Sequence, residues 1–390
     1  MKHAALAFLL SAGILAACGR VERKVRIAVL ADLTGPREVY GEGIRRATAL
    51  ALEERHSALL STGWNAELQA FDTNVSPPEL ETTVRGIAAD PEIVCTILHA
   101  DSDGNLSAAQ IFHSAGVADI LPVETAPLPA AAVERETIFL SPDDRSHGES
   151  DAEGALSRTA LRILLTTDSD PHALSIGAGF HDRAQAGGSI VYDFRILTAQ
   201  DLSDWTSSYK SIRPDLVYFS GPSELARSIL ARMESTGVQG TLFFAQDRPE
   251  DPLPADFASD SVTLMFSPAT ADSTGAAGAP APMEDYRSVY GADPPATAAL
   301  GYDATAFCLS PLLEKNARDL SPRAVRSWVL DRLRSGAVFQ GVTGSYDFSG
   351  ERRCRISTYL RSPTPGSGWK LVPAPEPVPR ATADCRGETF

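Results

Sequence analysis

The sequence predicts an α/β protein built as two doubly wound parallel-sheet lobes, and three observations lead there. Short apolar runs of strand length alternate with helical stretches from residue 25 onward. The runs are continuously rich in Val, Ile and Leu, as strands buried on both faces are. The rhythm breaks at residues 126–135 and then starts again, which makes two α/β units in tandem the simplest account. Length agrees, because 390 residues with 43% hydrophobic content suffice for more than one core.

Taken in order, residues 25–31 are apolar apart from Arg26 and read as a first strand. A helix follows over 39–56, with Ile44, Ala47, Ala51 and Leu52 on one stripe. A strand at 68–71 precedes a helix opened by Ser76-Pro77-Pro78-Glu79, where Ser at the N-cap, Pro at the first helical position and Glu at N3 form a capping signature. Strand 93–98, a helix over 106–114 ended by Gly116, and strand 119–121 complete the first unit. After the break come helix 144–157, strand 161–166, helix 173–186, strand 189–196, helix 203–212, strand 216–220, helix 223–235 and strand 241–244. Strand 262–266 leads into an Ala/Gly/Pro loop at 270–282. Helices at 283–290, 295–315 and 322–334 follow, then strands near 343–348 and 355–360, then a tail whose prolines favour an extended form.

The amino-terminal segment reads as a signal peptide over residues 1–17: a basic start at Lys2, an apolar stretch, and the ending Leu15-Ala16-Ala17-Cys18. The stretch is shorter than the roughly 20 residues a bilayer core requires. Its ending resembles the bacterial lipobox, in which the Cys thiol accepts an acyl chain. That predicts a chain lipid-anchored to a bacterial membrane through Cys18, with residues 18–24 as linker. The 35 Lys plus Arg against 50 Asp plus Glu give a net charge of −15, which disfavours nucleic acid as a partner. Of the other cysteines, Cys95 lies in an apolar run and Cys308 in a helical pattern, so both are expected to be small buried hydrophobes. Cys354 and Cys385 are the expected disulfide. The Cys and His spacings fit no zinc pattern, and neither metal nor cofactor is expected.

Catalytic patterns do not assemble. Ser207 and Lys210 fit S-x-x-K without its companion motifs, on an ordinary amphipathic helix. His147-Gly148-Glu149-Ser150-Asp151 groups a His with carboxylates at a helix start, where a solvated turn is expected. The chain is not expected to be an enzyme.

Residues 25–53 combine a strand, Leu33-Thr34-Gly35-Pro36, Tyr40-Gly41 and a long helix. Ala89-Asp90-Pro91-Glu92-Ile93-Val94, Ile120-Leu121-Pro122-Val123-Glu124-Thr125, Leu300-Gly301-Tyr302-Asp303-Ala304 and Gly341-Val342-Thr343-Gly344 follow in order. This succession resembles the branched-chain amino-acid-binding family of type I periplasmic binding proteins, over nearly the whole chain after Cys18. The resemblance implies two lobes joined by three crossovers, near 137–142, 266–270 and 339–343, with ligand in the cleft between them. Lobe 1 would comprise 25–139 and 270–339, lobe 2 would comprise 140–269 and 340–372, and 373–390 would be a Pro-rich tail. It further implies a monomer that hands a small molecule to the permease and ATPase subunits of an ABC transporter. A sensor of the same fold, or a structural lipoprotein with an empty cleft, are the alternatives.

For the site, the resemblance points to Ser102 beside Asp101 as the carboxylate-binding helix start, with a plain Ser N-cap as the alternative. Thr125 and the backbone of Val123 would meet ligand polar groups, and Tyr40 would line the pocket or pack in the core. The second lobe departs from the pattern. His172 stands where a stacking Tyr is usual, or is a surface residue of a helix start. Gln246 stands where a carboxylate holds the ligand ammonium, with Asp247 adjacent, and Thr297 where a pocket aromatic is usual.

Overall fold

A computed structural model of the chain describes residues 23–123, 137–141, 143–158, 160–246, 253, 257–267, 281–335, 338–343, 345–347, 358–361 and 370–372. Cys18, Thr125, Asp247, Cys354 and Cys385 lie outside the described residues.

The first lobe opens with β1 (Arg23–Ala31), α1 (Glu38–Thr62), β2 (Trp64–Asp72), α2 (Pro77–Ala89), β3 (Ile93–His99), α3 (Ser102–Ala115), β4 (Ala118–Leu121) and β5 (Thr137–Phe139). Its five strands are all parallel, in the order β2-β1-β3-β4-β5. Successive side chains of a strand point to opposite faces, and β1 is apolar on both. Val25, Ile27 and Val29 enter one core while Ala28 and Leu30 enter the other, beneath α2 and α3. That is the physical content of an uninterrupted apolar run.

The second lobe holds α4 (Asp144–Leu156), β6 (Arg162–Thr167), α5 (Pro171–Ala186), β7 (Ile190–Arg195), α6 (Ala199–Ile212), β8 (Leu216–Ser220), α7 (Ser223–Thr236), β9 (Leu242–Gln246) and β10 (Thr263–Ser267). Five parallel strands run in the order β10-β9-β8-β6-β7, later extended by two antiparallel strands. Leu216 and Tyr218 of β8 face the core under α4 and α5, and Val217 and Phe219 face the opposite core under α6 and α7.

The chain then returns to the first sheet. After α8 (Ala281–Tyr290), Leu300 and Phe307 of α9 (Ala296–Leu309) and Val325, Val329 and Leu333 of α10 (Pro322–Arg334) complete the core that β1 began. The hairpin β11 (Val338–Gln340) and β12 (Ser345–Asp347) also rests there through Tyr346, with Phe339 packed alongside. The second sheet is rejoined by β13 (Thr358–Arg361) and β14 (Lys370–Val372).

Several elements differ from the sequence reading for identifiable reasons. Strand β2 begins at Trp64 because edge strands are half exposed, and the polar residues Asn65, Glu67 and Gln69 interrupt the apolar signal. Helix α6 begins at Ala199, where Thr198 and Asp201 form a reciprocal capping box. Helix α9 stops at Leu309 because Pro311 cannot continue it, and two short 3-10 turns follow. The cysteine expectation is corrected as well. Cys95 and Cys308 are fully buried but joined by a disulfide, their Cα atoms 6.1 Å apart. The pairing depends on α9 folding back over β3 after the whole second lobe, and no local pattern announces that.

Candidate functional site

Helix α4 brings the carboxyl edges of the two sheets together. Its first turn hydrogen-bonds the last residue of β10, His147 Nε2 to Ser267 Oγ at 2.9 Å, so its N-terminus lies at the carboxyl edge of the second sheet. Four residues separate it from the carboxyl end of β5, so the chain can hold the two edges no more than about 18 Å apart there. Ligands of open α/β sheets sit beyond the carboxyl ends of strands, where helix N-termini present N–H donors.

On the first-lobe edge, Asp101 is the N-cap of α3, its Oδ1 accepting from Gly104 N at 2.7 Å. Ser102 is therefore the first helical residue and not the cap. Asn105 holds the turn from within, accepting from Ala100 N at 2.9 Å and donating to Ala100 O at 3.3 Å. Backbone N–H groups at a helix start lack intrahelical partners; here Gly104 N is taken by Asp101, and Asp103 adds a second carboxylate to the turn. Val123 follows β4 and is buried in the first core. Tyr40 is half-buried in the first turn of α1, and its carbonyl accepts from Thr297 Oγ1 at 2.9 Å. Thr297 is buried and ties α9 to α1 in this way.

The sequence reading passed over His99, the last residue of β3. Its Nδ1 is buried without a hydrogen-bond partner among the described residues, close to the buried Asp32 and to Arg37, whose Nε lies 2.6 Å from Asp32 Oδ2. Burial pulls the imidazole down to about 4, Asp32 opposing and Arg37 reinforcing the shift. His99 is thus neutral at pH 7. A lone His at a strand end carries no periodic signature, so only position after an apolar run could have drawn notice.

The second-lobe edge is polar along one register. Ser267 of β10 pairs with Gln246 of β9, and Ser220 of β8 pairs with Thr167 of β6, the two pairs continuing one line across the sheet. One step back on the same face lies the apolar row Met265, Phe244, Tyr218 and Leu165. All four polar residues are buried, Ser220 at 0% and Gln246 at 3% exposure.

The segment His147–Asp151 corrects the expectation of a solvated turn. His147 and Asp151 are buried, with Asp151 Oδ2 accepting from Tyr218 Oη at 2.6 Å and Oδ1 3.8 Å from His147 Nε2. Burial lowers the His147 pKa against the pull of Asp151 and Asp143, and raises that of Asp151 against His147, Ser267 and Tyr218. Polar and small residues fill this turn because α4 and α5 approach backbone to backbone: a Cβ on Gly148 would come within 1.9 Å of Ile176 O, and one on Gly179 within 2.0 Å of Arg145 O. His172 is the second residue of α5, and its Nδ1 lies 2.8 Å from Asp144 Oδ2 at the start of α4. Its side chain is 41% exposed.

Two of the distant sequence motifs meet near the lobe junction. Asp303 of α9, fully buried, accepts from Val342 N at 2.8 Å, Thr343 N at 2.9 Å and the Thr343 hydroxyl, which also meets Tyr346 Oη. The carboxylate clamps the 341–343 segment to the first lobe, and Gly341 lets it approach, since a Cβ there would lie 2.2 Å from Asp303 Oδ2. Ser207 and Lys210 are exposed on α6, and Ser207 Oγ donates to the Ser203 carbonyl. Among the described residues, no group of three or more His, Cys, Asp and Glu could hold a metal ion.

Two parallel-sheet lobes whose carboxyl edges are joined by a short crossover define a two-lobed α/β protein of the binding-protein kind. Residues 24–359 match the family described as periplasmic binding protein, and the chain belongs to that family. Among solved structures, it is similar to a putative branched-chain amino acid ABC transporter from Rhodospirillum rubrum, at 17% identity and a TM-score of 0.74, over 90% of this chain and 100% of that one. A leucine-binding protein from Thermotoga maritima matches at 21% identity and a TM-score of 0.61, over 89% and 97% of the two chains. A solute-binding protein of an ABC transporter from R. palustris, in complex with benzoate, matches at 16% identity and a TM-score of 0.61, over 90% of this chain and 95% of that one. No curated protein sequence matches the chain.

Proposed function

We propose that the chain is an extracytoplasmic solute-binding protein that takes a small polar molecule, such as an amino acid, an amide or a related carboxylate, into the cleft between its lobes. The observation that carries this reading is the short crossover that joins the carboxyl edges of two parallel sheets, inside a chain of this family. On the first lobe, Ser102 and the α3 start beside Asp101 receive the anionic or carbonyl end, aided by Thr125, the backbone of Val123, and Tyr40. On the second, His172, Gln246 and Asp247 meet the other end. A ligand touching both lobes favours the closed form by its differential affinity, and closure rotates the lobes about their crossovers.

The closed form then docks on an ABC permease with its ATPase subunits, and an acyl chain on Cys18 keeps the protein at the membrane. Relatives that carry leucine-binding or benzoate-bound descriptions support solute capture. The Cys95–Cys308 disulfide suits an oxidising compartment. A thermal-shift screen of the purified chain against amino acids, amides, polyamines and aromatic acids tests the reading. Ligand at 100 times its Kd adds about 2.7 kcal/mol of stability. Ser102→Ala and Thr125→Ala are expected to weaken any hit, and unchanged affinity in both moves the site elsewhere.

A further inference from the structure

The last register of the second sheet contains two polar atoms that the fold leaves unused. Gln246 Oε1 and Ser220 Oγ are buried and have no hydrogen-bond partner among the described residues. They are neighbours on one line with Thr167 and Ser267, on the sheet face that the α4 and α5 starts cover. A buried polar atom without a partner is costly, and folding alone gives no reason to keep two side by side. Both end their strands, at the carboxyl edge where the reading proposed above places the ligand.

This row is uncharged, and each described carboxylate behind it is held through at least one oxygen by the lobe itself, although Asp151 Oδ1 has no hydrogen-bond partner among the described residues. Asp151 takes Tyr218 Oη and lies beside His147, Asp144 takes His172, and Asp143 accepts from Ser146 N at 2.7 Å. We infer that the second lobe holds an uncharged ligand group, a carboxamide or a hydroxyl, which hydrogen-bonds Gln246 and Ser220 in the place an α-ammonium group would otherwise take. The inference rests on the binding reading proposed above. A carboxamide such as Gln246 presents an acceptor and a donor whichever way it is turned, and a hydroxyl does both. A neutral amide or alcohol satisfies them together. An ammonium offers only donors and accepts nothing from the Ser220 hydroxyl, while a carboxylate would be set near Asp143, Asp144 and Asp151.

The test uses matched probes that share a side chain and differ at one group: L-leucine, 2-hydroxy-4-methylpentanoate and isovaleramide, with the corresponding phenylalanine and alanine series. Each is titrated by calorimetry into the full chain and into Gln246→Glu, Ser220→Ala and Asp247→Asn. The chain is expected to bind the hydroxy acid or amide of at least one series about tenfold or more tighter than the amino acid, in keeping with a site built around specific polar partners. Gln246→Glu should reverse that preference, Ser220→Ala should weaken the neutral probe, and Asp247→Asn should leave the preference standing. Tighter binding of an amino acid by the unaltered chain overturns the inference while keeping the binding reading, most plainly if Asp247→Asn abolishes it. An unchanged preference in Gln246→Glu also overturns it. If no probe, and no compound of the broader screen, binds the chain or any variant, the binding reading itself fails and takes the inference with it.

Discussion

At the scale of single residues, His99 gives the sharpest expectation. Its folded pKa, about 4, lies below the ordinary value of 6.5, mainly because burial penalises the charged ring. Between these values the unfolded chain binds a proton that the native chain does not, so stability falls as pH drops through that window and levels off below it. The slope from one such group is at most about 1.4 kcal/mol per pH unit. His147 acts in the same direction, whereas Asp151, whose pKa is raised, loses its proton later in the folded state and opposes them. Urea denaturation at pH 6.5 and pH 5 should therefore show a stability gap that shrinks by about 1 kcal/mol in His99→Gln. An equal gap in both proteins means the ring titrates normally. The residue scale is also where the sequence was least legible. Asp101 and Ser102 are both good caps, and only the bond from Gly104 N decides between them. Gln246 and Ser220 end apolar runs, and nothing in their spacing reveals that they share a register line.

At the scale of elements, legibility followed burial. Strands such as β1 and β3, apolar on both faces, stand out as uninterrupted runs, but β2 and β7 lie at sheet edges and dilute that signal with polar residues. The start of α4 misled for a different reason. Its mean character is polar, yet a network of Asp151, His147, Ser267 and Tyr218 and the glycine contact with α5 bury it. Burial of that kind is a tertiary fact. It can be tested with one substitution at two sites. Gly148→Ala pushes a Cβ into the Ile176 carbonyl, which cannot move without separating α4 from α5, so a loss of about 3 kcal/mol or more is expected. Gly86→Ala, on the exposed side of α2 with nothing within 4 Å, should instead gain up to about 1 kcal/mol from helix propensity. Chemical denaturation of the two variants should move in opposite directions. A neutral Gly148→Ala would mean that the two helices are not in backbone contact.

At the scale of the whole molecule, the first lobe is assembled from chain segments on either side of the second. The alternation of strands and helices made two units legible, whereas the return of α9 and α10 to the first sheet rested on family resemblance and not on any local pattern. The disulfide sits at that return, joining central strand β3 to α9 across 213 residues of sequence separation. A cross-link stabilises chiefly by restricting the unfolded chain, and the effect grows slowly with loop length, so a loop of this size belongs at the upper end of the usual range of about 2–5 kcal/mol. The double variant Cys95→Ala/Cys308→Ala should lose that much. The loss should fall on the first lobe, because both sulfurs lie in its core while the cores of the second lobe contain neither. Calorimetry of the variant should then show a first-lobe transition at lower temperature with the second-lobe transition nearly in place. Reductant added to the native protein should change little, since neither cysteine is exposed. A variant that unfolds at the unaltered temperature would show that packing of Leu300, Phe307 and Val329 alone holds α9 and α10 on the sheet.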